Sequence, residues 1–232
     1  MYGNTYFFYM KVAALFSGGK DSVYAIYITK QYGWDITNLV TIISENRNSW
    51  MFHSINIHLT DILAQAIEIP LIKRLTKGEK EKELEDLKYI LQTLDIDGVI
   101  SGSIASEYQR TRIEKICHEL DIKSFTPLWH KDQELILKQQ IYAGFKILIT
   151  GVFAFGFDAV WLGREINEAC VNELDTLRKK YKINIAGEGG EFETLVLDNP
   201  LFKKKVVIDE ATKKWERDRG ILKVKKAHLI PK

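Results

Sequence analysis

Cysteine is almost missing from this chain of 232 residues: Cys117 and Cys170 are the only two, far apart and in no C-x-x-C pair. A disulfide framework and a four-cysteine zinc site are thereby excluded, and a reducing, cytoplasmic setting is the expectation. Long hydrophobic runs are missing too. The longest uncharged stretch of the most apolar region, Ile147 to Phe157, has eleven residues, too few to cross a bilayer as a helix. Met1 to Met10 is aromatic but has neither a basic start nor a small-residue cleavage site, so it does not read as a secretory signal. No internal repeat or low-complexity segment is visible. What is present is a globular composition, 46% apolar, 28% charged and 11% aromatic, which suffices for one large domain or two small ones with a sizeable core.

Charge is unevenly spread. Residues 203–232 hold eleven Lys/Arg and four Asp/Glu, a net of +7, while residues 1–202 hold 22 basic and 27 acidic residues, a net of −5. A basic end can face an acidic partner or nucleic acid. It lacks the interleaved aromatics of a single-strand binder. Solvated outer faces are therefore the first reading, with no stable nucleic-acid partner and no membrane. A homodimer is left open.

Along the chain, strands and helices alternate. The apolar run Val12 to Phe16 suits a buried parallel strand. Residues 20–32 read as a helix that stops at Gly33. Strands follow at Leu39 to Ile43, Leu71 to Leu75 and Gly98 to Ser101, with helices at 55–67, 79–94 and 105–120. This βαβα series predicts a parallel sheet covered on both faces, in a domain of residues 1–130. After Pro127-Leu128-Trp129 the pattern changes. A helix is expected at 132–143, a strand at 145–150, a helix at 165–181, and strands at Phe192 to Leu197, Val206 to Ile208 and Ile221 to Ile230. These make a smaller α+β domain of residues 131–232.

Ligands of an open parallel sheet bind beyond the carboxyl ends of its strands. Three polar loops converge there: Ser17-Gly18-Gly19-Lys20-Asp21-Ser22, Ser44-Glu45-Asn46 with Trp50 to His53 beyond it, and Ser101-Gly102-Ser103 with Glu107 to Arg110 beyond it. The first is the sharpest. Gly18 and Gly19 permit a tight turn with bare N–H groups, and the next helix offers its N-terminus to a phosphate. Ser17 and Ser22 add hydroxyls, Lys20 a mobile positive charge. Asp21 would repel a bare phosphate, so it shapes the loop or holds Mg²⁺. The spacing matches neither a Walker A loop nor the Gly-x-Gly-x-x-Gly dinucleotide loop.

The hexapeptide Ser17 to Ser22 resembles the PP-loop of N-type ATP pyrophosphatases. That resemblance implies an adenine-nucleotide α-hydrolase-like fold and cleavage of ATP between its α- and β-phosphates. Three further stretches narrow it. Glu45 to His53 resembles the ENxxSYMFH segment of the diphthine–ammonia ligase family, with Trp50 for Tyr. Gly102 to Glu114 is similar to that family's GxIxSxYQRxRVE motif. Gly187 to Val196 resembles its GEGGEYETLV motif, with Phe192 for Tyr. The four motifs occur in matching order over roughly residues 11–205. The resemblance implies that ATP activates the carboxylate of diphthine, a modified histidine of translation elongation factor 2, and that ammonia converts the acyl-adenylate to the amide. AMP and pyrophosphate are the other products. A tRNA-modifying PP-loop enzyme and an ATP-binding module without turnover are the alternative readings.

Several residues then carry expected roles. Lys20, Asp21 and Arg110 are the catalytic candidates, with Asp21 as the Mg²⁺ ligand. ATP is expected against Leu15, Phe16, Ser17, Gly18, Gly19, Lys20, Asp21, Ser22, Ile42, His53, Gly102 and Ser103, its adenine near Leu15 and Ile42. The acceptor is expected against Glu45, Asn46, Tyr108, Gln109, Arg110, Glu188, Gly189, Gly190, Glu191, Glu193 and Thr194. The acidic loop could bind Mg²⁺, ammonium or the trimethylammonio end of diphthine. The +7 tail is expected on the rim, serving the acceptor and not the nucleotide. With neither cysteine near the N-terminus or in a nucleophile-like turn, no glutaminase is expected, and free ammonia is the expected nitrogen source. Cys117, Cys170, His58 and His118 read as structural, and Trp129 as a hinge or a cleft wall.

Overall fold

Val12 and Ala14 point to one face of the first strand and Ala13 to the other, and this alternation organises the molecule. The computed structural model describes residues 9–45, 55–79 and 82–232. The first strand, β1 (Lys11–Leu15), is central in a five-stranded sheet of order β3-β2-β1-β4-β5, parallel throughout. Its other members are β2 (Asp35–Ser44), β3 (Leu71–Thr76), β4 (Gly98–Ile100) and β5 (Lys123–Phe125). Helices α1 (Lys20–Gln31) and α2 (Thr60–Ile67) cover the face that carries Val12 and Ala14. Helices α3 (Lys82–Leu91) and α4 (Glu107–Glu119) cover the other, where Ala13, Val40, Ile42 and Val99 meet Leu87, Ile90, Ile113 and Ile116.

From β1 the chain winds outward through β2 and β3, then returns to β4 on the other side of β1. The connections leaving β1 and β4 therefore diverge. A crevice opens between them at the carboxyl ends, the topological switch point of an open α/β sheet.

The second half adds α5 (Gln133–Tyr142), α6 (Glu168–Tyr181) and a four-stranded antiparallel sheet of order β7-β6-β9-β8. Its strands are β6 (Lys146–Val152), β7 (Phe192–Asp198), β8 (Lys204–Glu216) and β9 (Arg219–Pro231). Its apolar residues join the core beneath α1 and α2: Tyr24 and Tyr27 of α1 meet the Phe145 ring edge-on.

Three elements differ from expectation. β5 went unread because it is a three-residue edge strand with only its last residue strongly apolar. β8 runs for 13 residues where only Val206 to Ile208 reads as a strand, because its outer half is Lys- and Glu-rich. Its turn is Arg217-Asp218, with Arg217 left-handed at φ 56°, so no glycine marks the hairpin centre. A short 3-10 turn, Ala159–Trp161, precedes α6. Among the described residues no helix is long and apolar enough to cross a membrane.

Candidate active site

Strand β1 ends against its neighbour: the Phe16 amide donates to Val40 O at 2.8 Å, and the Thr41 hydroxyl donates to Phe16 O at 2.6 Å. The chain then turns through Ser17-Gly18-Gly19 into α1. Gly18 is left-handed (φ 79°), and a Cβ there would lie 2.4 Å from Leu63 Cδ1, so both conformation and space call for glycine. The turn is closed by its own hydroxyls. Ser17 Oγ lies 3.2 Å from Ser22 Oγ and accepts the Gly19 N–H at 3.3 Å, while Ser22 Oγ donates to Gly19 O at 3.0 Å. No side chain caps α1, and the second half bonds to its start at two points. The Lys20 N–H donates to Thr194 Oγ1 at 3.1 Å, and the Val196 N–H to Gly18 O at 3.0 Å.

Beside this turn lies a cavity at the switch point. Leu15, Phe16, Ser17, Asp21 and Ser22 form one wall; Val40, Ile42 and Ile57 a second; Ser101, Gly102, Ser103, Gln109 and Ile113 a third. Glu188 reaches in from the second half. The third wall approaches α1 so closely that a Cβ on Gly102 would sit 2.6 Å from the Asp21 carbonyl carbon and 2.7 Å from Ser22 N. An apolar end next to hydroxyls, amides and two carboxylates is a surface for a ligand with a flat apolar part and a charged part.

Lys20 differs from expectation. Its charge is not mobile: the side chain is 2% exposed, and Nζ donates to Asp21 Oδ2 and to Ala186 O, both at 2.6 Å. Nζ also lies 5.7 Å from the centre of the Phe192 ring. A buried ammonium needs such partners, and Asp21 beside it and the segment before β7 supply them. Lys20 therefore ties the turn to the second half and does not line the cavity. Asp21 does line it, with its other oxygen 3.4 Å from Gln140 Nε2 on α5.

The glycine-rich segment is also held differently from the free acidic loop expected. Glu188 Oε1 accepts the N–H groups of Ile104, Ala105 and Ser106 at 2.9, 2.9 and 3.1 Å. Glu191 Oε1 accepts the Asn184 N–H at 2.7 Å, and Glu193 Oε2 the Ile55 N–H at 2.8 Å. Gly187 and Gly190 turn the chain at φ 74° and 84°. Thr194 holds the Lys20 amide, and of this segment Glu188 lines the cavity. Gly189 lies against the Glu191 carboxylate, which a Cβ there would meet at 2.8 Å.

Arg110 is turned away from the cavity. Its guanidinium bonds Glu107 and Glu114, at 2.9 and 2.5 Å, and lies 4.7 Å from the centre of the Trp129 ring. The Arg112 guanidinium covers Tyr108 at 3.6 Å. Of the expected cluster on α4, Gln109 alone lines the cavity. Ser106 caps this helix, accepting from the Gln109 N–H. Glu45 is exposed beyond β2, its N–H on Thr76 O at 2.9 Å. Asn46, His53 and the rest of the Glu45–His53 motif lie outside the described residues.

Asn56 was not singled out in the sequence. It is buried and left-handed (φ 66°), a conformation Asn tolerates, and its amide pairs with the β9 backbone: Nδ2 donates to Leu222 O at 3.0 Å, and Oδ1 accepts the Val224 N–H at 2.8 Å. His58 Nε2 lies 3.0 Å from Val224 O. The basic hairpin is thus fastened beside Ile57 of the cavity wall. Gln140, fully buried under the turn, was also missed, because a single Gln in an amphipathic helix carries no motif. Both cysteines are core residues, their thiols pushed up to about 11 by burial, which removes nucleophilic thiolate at neutral pH.

Comparison with known proteins bears on this geometry. The family described as diphthamide synthase N-terminal domain matches residues 10–124, and the diphthamide synthase C-terminal domain matches residues 132–230. The chain belongs to the diphthamide synthase family. A relative in Rattus norvegicus, named diphthine–ammonia ligase, is 36% identical over 223 residues, covering 86% of this chain and 83% of its own. Relatives of the same name in Homo sapiens and Danio rerio are each 34% identical, covering 87% and 86% of this chain and 84% and 87% of theirs. A solved structure described as a predicted subunit of tRNA methyltransferase from Methanocaldococcus jannaschii aligns at 16% identity with a TM-score of 0.45, over 82% of this chain and 98% of that one. That likeness is too slight to bear on function. The two diphthamide synthase matches end and begin on either side of Thr126 to Lys131, so the cavity draws its walls from both, with Glu188 the contribution of the second.

Proposed function

We propose that this protein is an ATP-dependent diphthine–ammonia ligase, acting in the cytoplasm on elongation factor 2 that carries diphthine. One observation supports it above the others: Ser17, Asp21 and Ser22 of the PP-loop share a single cavity with Ser101 to Ser103 and with Glu188 of the glycine-rich motif. ATP enters with its adenine between Leu15, Val40 and Ile42 and its phosphates toward Ser17, Ser22 and the start of α1. The acceptor carboxylate attacks the α-phosphorus, pyrophosphate leaves, and ammonia displaces AMP from the acyl-adenylate. For the first step the protein must position and neutralise, not react covalently.

Mg²⁺ belongs to this reading. Among the described residues no group of three or more His, Cys, Asp or Glu could cage a metal ion. An ion held mainly by phosphate oxygens needs only one or two carboxylates, and Asp21 on the cavity wall fits that part. Bound there with ATP, the ion would offset phosphate charge.

The test is release of AMP and pyrophosphate, with and without diphthine-bearing elongation factor 2 and ammonium. Multiple-turnover release that needs both supports the ligase. Release with neither, or with tRNA in place of the protein, defeats it.

A further inference from the structure

We propose that Glu188 is the ammonium site of this protein, and that its carboxylate takes the proton that frees the nitrogen lone pair. The proposal rests on the ligase reading and names which residue handles its second substrate.

Two carboxylates line the cavity, Asp21 and Glu188. Asp21 is ion-paired, its Oδ2 2.6 Å from Lys20 Nζ. Glu188 pairs with no cation among the described residues. One of its oxygens is fixed by the N–H groups of Ile104, Ala105 and Ser106, and Ser103 Oγ approaches the same atom at 3.5 Å. The other oxygen takes part in none of these bonds. A carboxylate held rigidly by one oxygen, with its charge unpaired and its place on the cavity wall, is a site for a small monocation.

The chemistry needs such a group. At neutral pH the nitrogen donor is almost wholly ammonium, which has no lone pair. In the proposed step one ammonium proton passes to the Glu188 carboxylate. The freed pair forms the C–N bond at the acyl carbon. The bond from that carbon to the phosphate oxygen breaks, and AMP leaves with its electrons. The remaining surplus proton on nitrogen goes to water, so acyl-adenylate and ammonium give amide, AMP and two protons. A positioned base of this kind contributes about 10²-fold or more.

Hydroxylamine separates this role from a structural one, because it is uncharged at neutral pH and attacks acyl-adenylates without losing a proton first. Glu188→Gln keeps an oxygen for the three N–H groups but loses the charge. With diphthine-bearing elongation factor 2 as acceptor, this variant should lower the ammonium-dependent rate about 10²-fold and raise the KM for ammonium. Its hydroxylamine-dependent rate should fall by less than about tenfold. Glu188→Ala, which strands the three N–H groups, should lower both rates. Equal losses with the two nucleophiles in Glu188→Gln, or no loss with either, would overturn the proposal while leaving the ligase reading intact. Wild-type protein that forms no AMP with the acceptor would overturn both. A second measurement needs no variant. Potassium, close to ammonium in size and charge, should compete with ammonium in the wild type and not with hydroxylamine. Absence of that competition counts against the site even if Glu188→Gln fails to fold.

Discussion

The PP-loop turn and the glycine-rich segment line the same cavity, and they are held in opposite ways. Ser17, Gly19 and Ser22 bond one another across at most five residues of sequence. Residues 186–194 bond to partners far away in the chain: Ala186 and Thr194 to Lys20, Glu188 to Ile104–Ser106, Glu193 to Ile55. The first is closed by its own hydroxyls, and the second half adds bonds to it at the Gly18 carbonyl and at Lys20. The second closes its turns locally, with the Gly187 N–H on Asn184 O and the Gly190 N–H on Gly187 O, but the Glu188 and Glu193 side chains find their partners only once both halves have packed. A site assembled this way couples its wall to the packing of the whole molecule, and substitutions on the two sides should separate rate from stability.

The largest effect expected is at the joint between them. Asp21→Ala removes a charge-bearing group of the cavity and should slow pyrophosphate release about 10²–10³-fold. It also leaves the buried Lys20 ammonium with Ala186 O as its remaining partner, so stability should fall by up to about 3 kcal/mol. The loop's place outside the apolar core does not protect the fold here, because the pair it carries is buried. Ser17→Ala removes the acceptor of the Gly19 N–H and should slow the same release at a stability cost of only about 1 kcal/mol. Matching losses of stability in the two variants would erase the contrast between a self-held turn and a cross-linked one.

A smaller effect sharpens the same contrast. Thr194→Val keeps the shape of the side chain and removes the acceptor of the Lys20 N–H. The loss should be about 1 kcal/mol in denaturant unfolding. Pyrophosphate release should slow about fivefold if the same energy is lost in the transition state. An unchanged rate with full loss of stability would show that the seam holds the fold and not the site.

The same difference explains how far the sequence could be read. Ser17 to Ser22 carries its own bonds, so the hexapeptide alone indicates the turn, the helix start and the sheet edge. The cavity at the carboxyl ends of β1, β2 and β4 follows from the alternation of strands and helices. The burial of Lys20 was not legible, because the atoms that bury it lie near Ala186 and Phe192, some 170 residues on. Nor was the role of Glu188, whose partners are main-chain amides that no residue type announces. Arg110 is held by its own helix, which supplies Glu107 and Glu114 at the spacings that pair with it. Asn56 stands in for a strand residue through its side chain, a substitution that leaves no periodic trace.

The smallest effect lies farthest from the cavity, on the β8–β9 hairpin. In an antiparallel pair, residues directly opposite share a face. Lys214 stands opposite Ile221, and Lys223 opposite Thr212, on the face away from the buried Leu222 and Val224. Lys226 stands opposite Glu210. Among the described residues these three lysines form no ion pair, unlike Lys225 with Glu210 or Lys232 with Asp198. Their charge is therefore free to act at a distance, within a Debye length of about 8 Å at physiological salt. The hairpin is fastened through Asn56 beside the cavity wall, so a protein acceptor inserting one side chain must pass near it. Rim charge of this kind tunes encounter more than residence. Replacing Lys214, Lys223 and Lys226 together by Gln should lower the association rate with the acceptor several-fold at low salt, within the range steering covers. It should also flatten the dependence of that rate on salt and leave the KM for ATP near its wild-type value. Stopped-flow association at two ionic strengths measures this. A variant whose association keeps the full salt slope would place the acceptor on another face, and the hairpin's charge would then be only a solvated surface.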